Sequence, residues 1–311
     1  MLSRTASSLY WLGRYIERAD FTARLVEATV RLDALSARPA GEAAWESALI
    51  VTDAAEAFAK TGENITPQNV SRFLTLSTAH PGSIVRCLDM ARSNARAVRT
   101  ALTREAWTAI NRAWLLFHGR ASPGGAQATL NLVEQTKAEA RGFEGAIHRM
   151  MRDQSSWFIN LGAAVERADN TARLLDVKYH LLLPEGESVG GTIDRDQWTT
   201  ILQTVSAVTA YRWLYREGLR AADVIELLIL RHEMPRSLAA ASEEVVNLLG
   251  ALGQRTGLQG EADRMARVRL NRISTSKVGD IIGAGLHEYL EVFIEDNALL
   301  DRAIARQFRF L

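Results

Sequence analysis

Residues 13–25 read G-R-Y-I-E-R-A-D-F-T-A-R-L and residues 162–174 read G-A-A-V-E-R-A-D-N-T-A-R-L. Nine of the thirteen positions are identical at a constant offset of 149. Unrelated positions agree roughly once in fifteen at ordinary composition, so the match marks an internal repeat. The retained set is polar as well as apolar: Gly13/Gly162, Glu17/Glu166, Arg18/Arg167, Asp20/Asp169, Thr22/Thr171 and Arg24/Arg173. Packing alone preserves hydrophobic spacing and lets such identities drift. A specific task is therefore expected of these side chains.

The likeness extends outward from this core. Trp45 and Trp198 correspond at an offset of 153, and P-G-S-I (81–84) matches P-R-S-L (235–238) at 154. Six prolines in 311 residues and little strand-like alternation predict an all-α fold. The expected architecture is a helical bundle of two tandem pseudo-repeats, 1–150 and 151–311, related by a pseudo-two-fold axis within one domain, 1–311. Helices are expected over 5–37, 43–60, 67–77, 83–102, 103–118, 127–150 and 155–184, with loops at 120–125 and 185–192. Thr66, with Pro67 at the first helical position, is a helix start.

Composition narrows the partners. The chain carries 37 basic and 36 acidic residues, a net charge of +1, which gives no long-range field for nucleic acid or an anionic membrane. Cys87 is the only cysteine, so no disulfide and no cysteine-based metal site are expected. No apolar run approaches the ~18 residues of a membrane span, and the N-terminus lacks a signal-peptide core. A soluble cytoplasmic protein is expected. Four lysines stand against thirty-three arginines, a bias compatible with genome composition or with many two-pronged carboxylate contacts.

On a helix, positions 13, 17, 20, 24 and 27 fall within about 80 degrees of one another. One stripe is Gly13, Glu17, Asp20, Arg24 and Glu27; its counterpart is Gly162, Glu166, Asp169, Arg173 and Asp176. Leu9, Leu12, Ile16, Ala19, Ala23 and Val26 form the adjoining apolar face, with Arg14, Arg18 and Thr22 toward the far side. A mid-helix glycine costs about 1 kcal/mol against alanine, so two at matched points imply close approach of another group. If the two helices cross there, the four carboxylates are expected to face a shared crevice.

Three readings of the stripe stay open. It could be a buried ion-pair network with contacts such as Glu17–Arg24, a ligand-binding or acid–base cleft, or a carboxylate di-metal site. The last lacks the Glu-x-x-His pairs such bundles use, so no metal and no other cofactor is expected. Weaker candidates are His80 before a helix start with Arg86, Arg92, Arg96 and Arg99 behind it, His232-Glu233, Arg236 in P-R-S-L, and the helix-ending Tyr179-His180. The basic amphipathic tail at 301–311 is expected to dock on the core or on a partner. No phosphate-binding glycine loop, assembled nucleophile or zinc spacing is present.

The motifs S-R-T-A-S-S-L-Y-W-L-G-R-Y-I-E-R-A-D (3–20), W-F-x-x-L-G-x-x-V-E-R-A-D-N-T-A-R-L-L-D-V-K-Y-H-L-L-L-P (157–184), A-R-S-N-A-R-x-V-R (91–99) and M-P-R-S-L (234–238) resemble the bacterial alpha-E family. The resemblance covers essentially the whole chain. It implies an all-helical fold and an emphasis on Glu17 and Glu166. It also implies company: alpha-E proteins accompany circularly permuted ATP-grasp proteins, often with a transglutaminase-like peptidase. The implied role is an accessory or catalytic subunit of an ATP-grasp-linked amide or peptide ligation system, with the ligase in trans. Glu17 and Glu166 are then the expected catalytic carboxylates, and Asp20, Arg24, Asp169, Arg173 and Arg236 the substrate-binding set for an amine. The alternatives are a non-enzymatic scaffold for an ATP-grasp partner and, more weakly, a metal-dependent enzyme.

Overall fold

The structure is a computed structural model that describes residues 1–35, 40–180 and 190–310. Among these, helix is the only regular secondary structure. The order is α1 (Ser3–Leu35), α2 (Ala40–Val51), α3 (Ala55–Ala59), α4 (Pro67–Leu76), α5 (Ile84–Ala97), α6 (Arg104–Phe117) and α7 (Ala126–His148). Then follow α8 (Gln154–His180), α9 (Thr192–Thr204), α10 (Val208–Leu214), α11 (Ala221–Ile229), α12 (Leu238–Thr256), α13 (Glu261–Thr275), α14 (Val278–Ala284) and α15 (Leu286–Gln307).

Short polar side chains set the helix starts. Thr66 Oγ1 accepts from the Asn69 N–H ahead of Pro67, and Ser83, Thr103 and Ser237 cap α5, α6 and α12 in the same manner. Gly257, at φ +72°, ends α12 in the left-handed conformation that glycine adopts without a Cβ penalty. Two expected helices are interrupted. The one expected over 43–60 breaks at Thr52-Asp53, where Asp53 takes φ +54° without a glycine or proline to announce the turn. The one expected over 83–102 ends at Ala97 and tightens into a 3-10 turn at Arg99–Ala101. Of the expected stop of α1 at 38–41, residues 38 and 39 lie outside the described residues and 40 and 41 open α2; most of the loop at 185–192 also lies outside them.

α1 makes its most extensive contact with α8 and also packs on α5, α7, α2 and α9; α8 packs on α12 and α15. The predicted apolar face of α1 is buried throughout: Leu9, Leu12, Ile16, Ala19, Ala23 and Val26. So, however, are Tyr10, Arg14, Phe21, Thr22 and Leu25, because neighbours surround this helix on every side. Arg14 and Thr22, expected toward the far side, are therefore inside the molecule. One contiguous buried cluster runs from Ala6 to Phe308. The C-terminal tail docks on it: Phe308 meets Phe158 edge-on at 4.9 Å between ring centres, and Phe310 packs against Tyr10 at 5.3 Å.

The two repeat helices cross at their glycines. A Cβ on Gly13 would sit 1.9 Å from the Ile159 carbonyl oxygen, and one on Gly162 would sit 2.0 Å from that of Tyr10. Backbone touches backbone at both points. The close approach expected from the sequence is thus made by the opposite helix, and it fixes where the Glu-Arg pairs four and five residues later must meet.

Candidate functional site

Beyond the crossing, each Glu-Arg pair reaches the other. Arg167 Nη2 on α8 donates to Glu17 Oε2 on α1 at 3.0 Å. In return Arg18 on α1 forks onto Glu166, with Nε to Oε1 at 2.6 Å and Nη2 to Oε2 at 2.9 Å. Each glutamate has a second arginine. Arg236, from the corner before α12, donates through Nη1 to Glu17 at 2.5 Å and through Nη2 to Asp20 at 2.9 Å. Arg14 Nε donates to Glu166 at 2.7 Å while its Nη1 meets Asp301, also at 2.7 Å.

These pairings fix protonation. Burial pushes the Glu17 carboxyl up, but the charges of Arg167 and Arg236 outweigh it and hold it at about 2. Glu166 follows the same pattern: burial raises it, while Arg18 and Arg14 bring it below the usual carboxylate range. Both glutamates are buried anions with full counter-charge.

The aspartates take the arginines one turn on. Arg24 Nε donates to Asp20 at 2.6 Å, and Arg173 Nε donates to Asp169 at 2.7 Å. The Glu17–Arg24 contact considered from spacing is replaced by Asp20–Arg24. Further along the stripe, Glu27 pairs with Lys137 and Arg31, and Asp176 with His287.

The carboxylates line two cavities instead of one crevice. The first, of about 170 Å³, is bordered by Arg18, Asp53, His80, Glu166, Asp169 and Arg173, with Thr22, Gly82 and Asn170 completing the polar wall. The second, of about 360 Å³, is bordered by Glu17, Asp20, Arg167, Arg236, Glu144 and Glu244, together with Arg24, Arg141 and His148. Apolar side chains such as Ile16, Phe143 and Ile159 line its other walls. In each cavity the motif Glu and Asp come from one repeat helix and the arginine that follows the motif glutamate from the other, with Asp53 added in the first and Glu144 and Glu244 in the second.

Sequence reasoning did not single out Glu144, Glu244, His148, Asp53 or Asn170. Glu244 is the most informative of these: burial raises its carboxyl, with the Glu17 and Glu144 charges adding to the effect against the pull of Arg167. No local motif marks it; only the packing of α12 on α8 brings it there.

Other candidates resolve simply. Arg92 stacks over Trp114 at 4.2 Å and donates to Asn111, and Arg99 lies over Trp107, so these arginines serve α6 and its neighbourhood rather than an anion near His80. His232 Nδ1 meets Glu243 at 2.9 Å on the surface. The side chains of Tyr179 and His180 lie outside the described residues. Among the described residues no three potential metal ligands converge, and no helix is long and apolar enough to cross a membrane.

No curated protein and no solved structure matches this chain. A family pattern does: Alpha-E, described as a predicted alpha-helical domain with a conserved ER motif, matches residues 1–308. The Glu-Arg pair is the element that occurs twice here, at 17–18 and 166–167, and closes the helix crossing. The chain belongs to the Alpha-E family.

Proposed function

We propose that this protein is an accessory subunit of a bacterial, cytoplasmic amide-ligation system, presenting an amine-bearing substrate to an ATP-grasp ligase that acts in trans. A transglutaminase-like peptidase belongs to the same system; nucleic acid and membrane do not. The two halves are read as products of duplication that pack about a pseudo-two-fold axis and build one cavity on each side of the crossing. The observation that carries the reading is that the repeated Glu and Asp side chains line those cavities instead of facing bulk water or vanishing into apolar core.

Glu17 and Glu166 take the part of fixed negative charges. A carboxylate that keeps its charge down to about pH 2 has little drive to accept a proton from an attacking amine. They set the potential in which Asp20, Arg24, Asp169, Arg173 and Arg236 orient a substrate. Reconstitution with the ATP-grasp partner tests this: adding the present chain should raise amide formation per ATP hydrolysed. An unchanged rate and coupling would remove the proposal.

One observation favours a second reading, a non-enzymatic scaffold. Trp213 and Leu214, at the end of α10, are 79% and 46% exposed, an adjacent apolar pair of the kind protein partners cover. On this reading the partner ligates at full rate alone, and Trp213→Ser abolishes only co-purification.

A further inference from the structure

The two halves of the chain differ at two points where they are otherwise closely parallel. The corners before α5 and α12 have the same hydrogen bonds. Ser83 N–H donates to the His80 carbonyl and Ser83 Oγ to the Ser77 carbonyl; Ser237 N–H donates to the Met234 carbonyl and Ser237 Oγ to the Arg231 carbonyl. Each serine then caps its helix. The residue just before the serine is Arg236 in one corner and Gly82 in the other. Arg236 fills the space beside Glu17 and Asp20 with a guanidinium. Gly82 puts no side chain at the corresponding point; the His80 ring lies against it, and both line the first cavity with Glu166 and Asp169.

The second difference acts in the same direction. The turns after α2 and α9 share their backbone pattern, with Asp53 at φ +54° and Ser206 at φ +57°. Ser206 Oγ accepts from Arg24 Nη1 at 2.6 Å. At the matching point the first cavity carries the carboxylate of Asp53. One half thus lacks a cation and gains an anion relative to the other. Lining the first cavity are two arginines and three carboxylates, against four of each in the second.

An independent feature points to a guest. His80 is 3% exposed, lies against Phe73, and leaves its Nε2 without a hydrogen-bond partner at the wall of this cavity. The buried amide nitrogen of Asn170, on the same wall, is also unpartnered. Burial, then the Arg18 charge, push His80 down, so the ring is neutral and one nitrogen can accept. Buried polar atoms normally have partners, so the orphaned His80 Nε2 marks a place for a donor; the Asn170 amide, itself a donor, is not answered by the same group. Access is available: the Asp169 and Arg173 side chains keep 18% and 31% of their surface.

Resting on the amine-substrate reading above, the geometry points to the first cavity as the seat of a guanidinium head, held by Asp169, Asp53 and His80 Nε2 where Gly82 replaces an arginine. The substrate class is then an amine whose far end carries a guanidinium, the cavity holding that end and leaving the amine outside for acylation. A planar cation with donors in several directions suits acceptors converging from α8, the α2–α3 turn and the corner before α5.

The test is calorimetric titration of the full chain alone with agmatine, methylguanidinium and n-butylammonium. Agmatine and methylguanidinium should bind at one site per chain in the millimolar range or tighter, and n-butylammonium at least tenfold more weakly. His80→Met combined with Gly82→Arg transplants the Met234/Arg236 corner. It also removes the clash that a Cβ at Gly82, 2.7 Å from His80 Nε2, would otherwise meet. Its tethered guanidinium should abolish agmatine binding. Asp53→Ser, which copies Ser206, should weaken binding about tenfold and serves if the double variant does not fold. Absence of saturable binding, binding indifferent to both variants, or n-butylammonium binding as tightly as methylguanidinium each overturns the assignment. Since no ligase is present, a failure here is distinct from a failure of the ligation reading, which turnover in the reconstituted system decides.

Discussion

Arg167 and Glu17 are joined at 3.0 Å across the point where α8 crosses α1, and Arg18 repeats the same embrace on Glu166. Each motif gives its arginine to the other helix and receives an arginine back. Breaking one partner of a buried pair leaves uncompensated charge, which costs about 3–5 kcal/mol. Glu17→Gln removes the carboxylate that Arg167 and Arg236 share, so urea unfolding should show a loss toward that range. Adding Arg167→Gln should recover about 0.5–3 kcal/mol of it as coupling energy, whereas strict additivity would disprove the direct pairing.

Glycine at the crossing is the second testable feature. Gly13→Ala and Gly162→Ala each gain about 1 kcal/mol of helix propensity but drive a methyl into a carbonyl oxygen. Backbone has to move, and overpacking of this kind costs about 1–3 kcal/mol or more, so both variants should melt lower than wild type. Gly145→Ala in α7, where a Cβ meets nothing within 4 Å, should melt higher.

Acid titration gives a third. The Glu17 carboxyl is lowered on folding from 4.5 to about 2, so its contribution to stability is present above pH 4.5 and declines as pH falls toward 2. The stability gap between wild type and Glu17→Gln should therefore narrow below pH 4.5 and stay constant from pH 5 to 7. Chevron or equilibrium urea series at each pH measure it, and a gap that widens on acidification contradicts the assigned ion pairs.

At the other end of the chain, Phe308 is 6% exposed and edge-on to Phe158. Removing such a ring from a packed core costs about 3–5 kcal/mol. Phe308→Ala should lower the melting temperature strongly, whereas Arg302→Ala, on the exposed side of α15, should leave it nearly unchanged.

Much of this was legible in residue order, because the physics involved is local or repeated. Capping residues such as Thr66 and Ser83 marked their helix starts, and paired glycines marked the crossing. What escaped depended on third parties. Nothing in the spacing of Glu17 says that its partners lie 150 and 219 residues away, on α8 and at the corner before α12. Likewise the break at Asp53 carries no glycine, and Glu244 reaches its cavity through helix packing alone. The mismatches Gly82/Arg236 and Asp53/Ser206 lie in the register of the repeat, but their meaning required knowing what each faces: Arg236 the acids of α1, Ser206 the Arg24 guanidinium, and Gly82 and Asp53 the first cavity.

The exchange of guanidinium groups ties the two halves of the chain to each other. Neither glutamate of the Glu-Arg motifs finds an arginine on its own helix, so a solitary half would expose an unanswered acid and an idle arginine together. Residues 1–150 and 151–311 made as separate chains should therefore be far less stable apart than when mixed.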